Sequence, residues 1–416
     1  MRIEKEGGQV RFLTAGESHG QKLVGIIEGF PAGIKIAKSQ VDAALMKRQQ
    51  GPGRGGRMAI ESDEAFFISG IRGGFSTGAP IALEIRNRDW ENWSEVMAWG
   101  EDADLQSRKV TAPRPGHADL NGALKYRTEI RNILERASAR ETAMRVAVGN
   151  IARQGLSALG VEIRGHVLAV GGVHATHTGY TEYTEHEEYS KSAEYKINTN
   201  CPEHDDIGYW KNVENSVWSV GDPETEKKIE ARLQEAVRQG ESLGGLLEVQ
   251  VHNLPAGLGS HVQWDRKLDG RLAQAVLSVQ AIKGVSFGMG FAAGDLPGSL
   301  VHDPIVYRQG SGFNRLSNNA GGIEGGMSNG EPVVLQTVMK PIPTLLSPLD
   351  TADIETKEPV KAAAERSDTC AVPAALVVLE HVVAWVIAEA VLEKFPADSF
   401  QELQVAWEAY RAYLKS

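Results

Sequence analysis

The run AALVVLEHVVAWVIAEAVL, residues 374 to 392, constrains the fold more than any other feature. It is long and apolar enough to raise the question of a membrane span. Glu380, His381 and Glu389 interrupt it, and each is expensive in hydrocarbon. It therefore reads as a buried core helix. A helix apolar on nearly every side must be enclosed on every side. A chain of 416 residues is long enough to do so, as one large domain or two to three ordinary ones.

Other elements are legible from their ends and periodicity. DPETEKKIEARLQEAVRQG (222 to 240) reads as a helix with Asp222 as cap, Pro223 in the first turn, Gly240 as stop, and Ile229, Leu233 and Val237 as its stripe. A second helix is expected from Asp265 to about Lys283, with Leu268, Leu272, Val276 and Val279 on one face and Gly284 as stop. A third covers roughly 129 to 159, and a last one about 399 to 414 with Leu403, Trp407 and Leu414 on a shared face. LLEVQVHNL, VEIRGHVLAV and PVVLQTVM read as strands, the first alternating Leu247, Val249 and Val251 with Glu248, Gln250 and His252. Stretches 48 to 58 and 309 to 331 are glycine-rich and read as long loops, which in compact proteins are more often functional than accidental. The polar stretch 174 to 215 reads as a surface excursion or interface element.

The chain carries 45 glycines and a net charge of −10. The acidic balance argues against a nucleic-acid binder. Two cysteines, Cys201 and Cys370, cannot make a disulfide framework or a cysteine metal site. With no charged-then-apolar leader in MRIEKEGGQV, the expectation is a cytoplasmic protein with no metal and no membrane association.

Against that acidic background the arginines cluster among glycines and prolines. KRQQGPGRGGRMAIESD (47 to 63) holds Arg48, Arg54 and Arg57. Arginine offers a planar fork to carboxylate and phosphate, and glycine lets backbone N–H groups reach the same anion. The same composition also suits a solvated Gly/Arg loop that binds nucleic acid. TAPRPGHADL sets Arg114 on a stiff stalk between two prolines, with His117 after a glycine. In ERASARET, Arg136 and Arg140 are four apart on one expected helix and share a face. ERSDTCAVPA juxtaposes Arg366 and Asp368. GGIEGGMSNGEP matches neither the dinucleotide fingerprint nor a P-loop. GESHG, at 16 to 20, brackets Ser18 and His19 with glycines early in the chain.

These segments, with NNAGGIEGGMSNG at 318–330 and KPIPT at 340–344, resemble the chorismate synthase family and occur in its order. The match covers residues 11 to 392. Any one motif is weak alone; the ordered series is specific. The resemblance implies an α+β fold, a β-α-β sandwich forming a single large domain over residues 1–416, assembled as a homotetramer. It implies reduced FMN and the substrate 5-enolpyruvylshikimate 3-phosphate, converted to chorismate and phosphate by a 1,4-anti elimination at the end of the shikimate pathway. It places Arg136, Ala137, Ser138, Gln280, Ala281, Gly325, Lys340, Pro341, Ile342, Pro343, Thr344 and Arg366 at the flavin. Ser18, His19, Arg48, Arg54, Arg57, Arg114 and Arg140 fall to the substrate, with Arg48 and Arg54 alternatively at a nicotinamide nucleotide (NADP) site. His19 is implied to serve the departing phosphate, His117 the reduced flavin, and Asp368 the C6 proton. The form expected is one that receives reduced flavin from an external reductase, with NADPH as indirect reductant. The competing readings are an NAD(P)H-dependent flavin reductase and the Gly/Arg-loop nucleic-acid binder.

Overall fold

A computed structural model describes residues 10–54, 62–175, 207–363 and 368–416. The first sheet is antiparallel in the order β1-β2-β6-β3. Its strands are β1 (Arg11–Ala15), β2 (Lys22–Glu28), β3 (Ala65–Ser69) and β6 (Ile81–Arg86), with a small ribbon of β4 (Ile71–Arg72) and β5 (Phe75–Ser76) between the last two. The second sheet is antiparallel in the order β10-β15-β9-β7-β8. It contains β7 (Glu162–Val170), β8 (Val173–His174), β9 (Gly245–His252), β10 (Ile282–Phe287) and β15 (Val333–Met339). Two hairpins, β11–β12 (Ile305–Arg308, Gly312–Arg315) and β13–β14 (Ile323–Glu324, Met327–Ser328), occupy the stretch expected to be a long loop. A final ribbon pairs β16 (Asp350–Ala352) with β17 (Pro359–Lys361).

The helices complete the fold. They are α1 (Lys38–Gln49), α2 (Asp119–Tyr126), α3 (Ile130–Ala137), α4 (Thr142–Ala158), α5 (Ile207–Asn215), α6 (Pro223–Gln239), α7 (Leu268–Leu277), α8 (Gly298–Val301), α9 (Val372–Lys394) and α10 (Phe400–Leu414). The apolar run is α9, and it is buried as expected. Sheet one packs on α4, α4 on α9, and α9 on the second sheet through β7 and β9. This is the β-α-β sandwich, with one apolar core running from Val10 to Trp407. Gly149 explains how closely α4 and α9 cross: a Cβ there would sit 2.2 Å from the His381 carbonyl oxygen.

The polar interruptions of α9 are all satisfied. Glu380 pairs with Arg153 of α4 at 3.2 Å. His381 Nδ1 bonds the Val377 carbonyl at 2.6 Å, which leaves Nε2 to accept from Asn150 Nδ2 at 3.2 Å. Burial, with Arg153 nearby, lowers this histidine to about 4, so the ring is neutral. Glu389 accepts from Trp385 Nε1 at 2.6 Å.

Several expectations are corrected. The helix expected over 129–159 is two helices. At Ser138 the backbone turns extended, and its hydroxyl accepts from the Arg140 N–H to start a new turn. Arg136 and Arg140 therefore share no helix face. The helix expected to reach Lys283 ends at Leu277, because residues from Ile282 enter β10, where Gly284 is a strand residue. The caps of α6 are as expected, with Asp222 accepting from the Glu224 N–H and Gly240 left-handed. Val237, however, is exposed, and Thr225, Ile229, Leu233 and Ala236 make the buried stripe. In β9 both faces are buried: Glu248, Gln250 and His252 are covered too, and Glu248 accepts from Gln250 and Gln336 and pairs with His166. Within 174–215, α5 buries Tyr209, Trp210 and Val213; residues 176–206 lie outside the described residues.

Candidate active site

The GESHG turn joins β1 to β2, and its glycine is obligatory. Gly16 has φ +110°, and a Cβ there would lie 2.4 Å from the Lys22 carbonyl oxygen. The turn is clamped from two sides. Asn87, just after β6, donates to the carbonyls of Glu17 (3.1 Å) and Gly20 (2.6 Å). The end of α3 supplies the rest: the Glu135 carbonyl accepts from the Ser18 N–H at 2.9 Å, and Ser18 Oγ bonds Ser138 Oγ at 3.0 Å. The Glu135 carboxylate takes the His19 N–H at 2.8 Å and His19 Nδ1 at 2.9 Å. The imidazole lies flat on Trp93, with ring centroids 3.8 Å apart.

His117 follows Gly116, whose φ is +79° and whose carbonyl accepts from Lys340 Nζ at 2.5 Å. Its Nδ1 bonds Asp119, the first residue of α2, which is fully buried. Arg114 also grips Asp119, through its backbone N–H and its Nε, both at 3.0 Å, and donates to Thr344 Oγ1 at 2.8 Å. Burial alone raises the Asp119 pKa. The hydrogen bonds from His117 and Arg114 outweigh it and hold the carboxyl well below its ordinary range. The proline stalk thus delivers Arg114 and His117 to one buried carboxylate.

The remaining arginines are organised in the same way. Arg48 lies in the last turn of α1, almost fully buried, 3.5 Å from Asp63. Its Nε has no partner among the described residues. Burial, and then the neighbouring Arg140 and Arg54, lower it to about 10, with Asp63 opposing. Arg140 reaches the same Asp63 at 2.6 Å and Asn87 Oδ1 at 2.8 Å. Arg54 pairs with Asp368 at 2.7 Å. The Gly53 carbonyl accepts from the Thr369 N–H at 2.7 Å, so the two loops carrying that pair are tied together.

These groups converge on a cavity of about 430 Å³. Ligand sites typically span roughly 300–1,000 Å³. Ser18, His19, Arg48, Arg54, Arg114, His117, Ala137, Ser138, Arg140, Gln280, Ala281, Lys340, Ile342, Pro343, Thr344 and Asp368 all line it. Three of the flavin residues implied by resemblance do not. Arg136 is exposed and spent on the carbonyls of Thr14 and Gly16; Pro341 is exposed; Gly325 sits at the exposed tip of β13–β14. Arg57 and Arg366 lie outside the described residues, so the expected Arg366–Asp368 arrangement does too. The surplus of positive charge is smaller than the arginines suggest, because Asp63, Asp119, Asp368 and Glu135 stand against them.

One wall is apolar, made by Val279, Met339, Ile342, Ala371, Ala374, Ala375 and Val378. Beside it, Gln280 Oε1 is buried with no partner among the described residues, and Ala281 holds φ +68°, a strained conformation for a residue with a side chain. A flat ring with polar edges fits such a wall: the orphaned amide oxygen awaits an N–H donor, and Lys340 and Arg114 stand by for anionic groups. Sequence reading missed Glu135, Trp93, Asp63, Asp119 and Asn87. None of them had a local signal, whereas Ser138, already placed at the site by resemblance, carries one in the Ser-x-x-Glu spacing of SARE.

A family model described as chorismate synthase matches residues 10–392. A chorismate synthase of Desulfitobacterium hafniense (strain DSM 10664 / DCB-2) is 64% identical over 405 residues, covering 97% of this chain and 99% of its own. One from Desulforamulus reducens is 50% identical over 407 residues, covering 98% and 99%. A crystal structure of chorismate synthase superposes with a TM-score of 0.75 at 39% identity, covering 98% of both chains. Whole-length likeness in sequence and in fold, around a cavity built from the motifs themselves, shows that the chain belongs to the chorismate synthase family.

Proposed function

We propose that this enzyme removes phosphate from 5-enolpyruvylshikimate 3-phosphate by 1,4-anti elimination, giving chorismate for aromatic amino-acid biosynthesis. The observation that carries the reading is the meeting of Arg48, Arg54, Arg114 and Arg140 with His19, His117 and Asp368 around one cavity. The substrate presents a phosphate and two carboxylates, which is the chemistry those guanidinium forks recognise. In the reaction the C3–O bond to phosphate and the C6–H bond both break. A new double bond forms, and nothing is oxidised overall.

The apolar wall, with Ala137, Ser138, Gln280, Ala281, Lys340, Ile342, Pro343 and Thr344, suits FMN. Reduced flavin, when bound, supplies the transient electron density that eases loss of phosphate, and the protein contributes orientation and electrostatics. His19 then neutralises or protonates the departing phosphate through Nε2. His117, held by Asp119, would supply positive charge or a proton to reduced flavin bound in this cavity. Asp368, held by Arg54, is the carboxylate available to receive the C6 proton. Low dielectric in the cavity strengthens each contact. The position of Arg48 and Arg54 inside this cavity supports a substrate role over a nicotinamide nucleotide site. A cytoplasmic homotetramer supplied with reduced flavin by a separate reductase, NADPH being the indirect reductant, completes the reading.

The test is an anaerobic assay with substrate, following phosphate and chorismate. Turnover is expected with reduced FMN, with no net flavin oxidation. Equal turnover with oxidised FMN, or with none, overturns the reading.

A further inference from the structure

Resting on that reading, we propose that Glu135 is the positioning residue for His19: it fixes which nitrogen faces the phosphate and stabilises the charged ring. Glu135 is 3% exposed, at the end of α3. Burial raises its pKa, but its bonds with His19 and the nearby Arg131 outweigh that and lower it. An ionised carboxylate only accepts. The Nδ1 facing it at 2.9 Å must therefore carry the proton. Nε2 has no partner among the described residues and is the atom left for a ligand. The second carboxylate oxygen takes the His19 N–H, so one side chain sets both the backbone and the ring. Trp93 closes the remaining freedom by stacking at 3.8 Å.

The charges around the ring come from several elements. Arg131 of α3 is 3.6 Å from the Glu135 carboxylate. Arg108 lies 3.9 Å over Trp93. Glu17 belongs to the same turn, and Arg48 and Arg140 line the cavity. Arg131, Arg108, Arg48 and Arg140 all oppose a charged imidazole. Glu135 is the carboxylate in contact with it that offsets them.

Glu135→Gln is the suitable variant. It keeps the shape, and the Glu135 carbonyl that anchors Ser18 is untouched. An amide can also donate to Nδ1, which permits the other tautomer. Inorganic phosphate binding is measured by calorimetry across pH, together with kcat and KM. In the variant, phosphate affinity should be lost at a lower pH than in the parent, because the charged ring loses its contacting carboxylate. Its kcat should fall on the order of 10²- to 10⁴-fold, with KM changed far less. In a His19→Gln background the same substitution should cost almost nothing. If Glu135→Gln does not fold, Glu135→Asp serves: it keeps the charge, so the pH limb stays, but it cannot reach both His19 groups, so kcat falls. An unmoved phosphate–pH curve, or an equal loss in the His19→Gln background, overturns the proposal. Failure of the elimination reading is separate: the parent would release no phosphate from the substrate, while the calorimetric curves would still report on Glu135.

Discussion

Asp63 is the place to test whether the arginines are held by buried carboxylates. Its side chain is fully buried, 2.6 Å from Arg140 and 3.5 Å from Arg48. Asp63→Asn preserves volume but leaves two guanidinium groups buried against a neutral amide. Removing one partner of a buried pair costs about 3–5 kcal/mol. The lowered pKa of Arg48 points the same way, since burial and neighbouring cations already work against its charge. Total stabilities of about 5–15 kcal/mol leave such a variant folded but weakened. An anion entering the cavity then takes over the role of Asp63. Phosphate should therefore stabilise the variant more than the parent, following the mass-action dependence on affinity. Urea unfolding in chloride, and in phosphate at matched ionic strength, measures both effects. A variant within about 1 kcal/mol of the parent in chloride, well short of the buried-pair cost, would refute the reasoning. So would a phosphate gain no larger than the parent's.

Three further outcomes are expected. His381 is held at about 4 in the fold against 6.5 unfolded, so the unfolded chain binds a proton between those values that the folded chain does not. Its contribution is full above 6.5 and falls by about 1.4 kcal/mol per pH unit toward 4; His381→Gln should remove that slope in urea titrations across the window. Asp119→Asn should lower kcat on the order of 10²-fold or more by releasing His117 and Arg114, with steady-state kinetics as the check. Gly149→Ala should destabilise the α4–α9 crossing by about 1–3 kcal/mol of overpacking, despite alanine's helix preference of about 1 kcal/mol; an unchanged urea midpoint would contradict the crossing geometry.

What could be read from sequence was local. The cap and stop of α6, the glycine demanded at Gly16 and the proline stalk at Arg114 each depend on a few neighbouring residues. So did the core helix, because its polar interruptions are sparse. The misses were tertiary. The 129–159 pattern is apolar-periodic throughout, and only the capping spacing at Ser138 marks its break. The overrun of α7 came from Gly284, which looks like a stop but sits in an edge strand. Partners such as Glu135 for His19, Asp63 for Arg140, and Trp93 lie tens to over a hundred residues away in the chain. No spacing rule reaches that far.

The carboxylates change what the arginine cluster means. An unpaired set of buried guanidinium groups would be costly to fold and would hold any anion. Here Asp63 and Asp119 are themselves buried, behind Arg48, Arg140 and Arg114, while Arg54–Asp368 and His19–Glu135 lie at the cavity wall. Binding is then an exchange: an anion gains only what a guanidinium can offer beyond its existing partner. A single phosphate gains less from such an exchange than a polyanion does. A ligand with several anionic groups at fixed separation engages several forks at once, and its net gain accumulates. Pairing therefore sacrifices affinity for each contact, fixes the forks in advance, and converts a general anion trap into a site selective for a polyanion of the right shape.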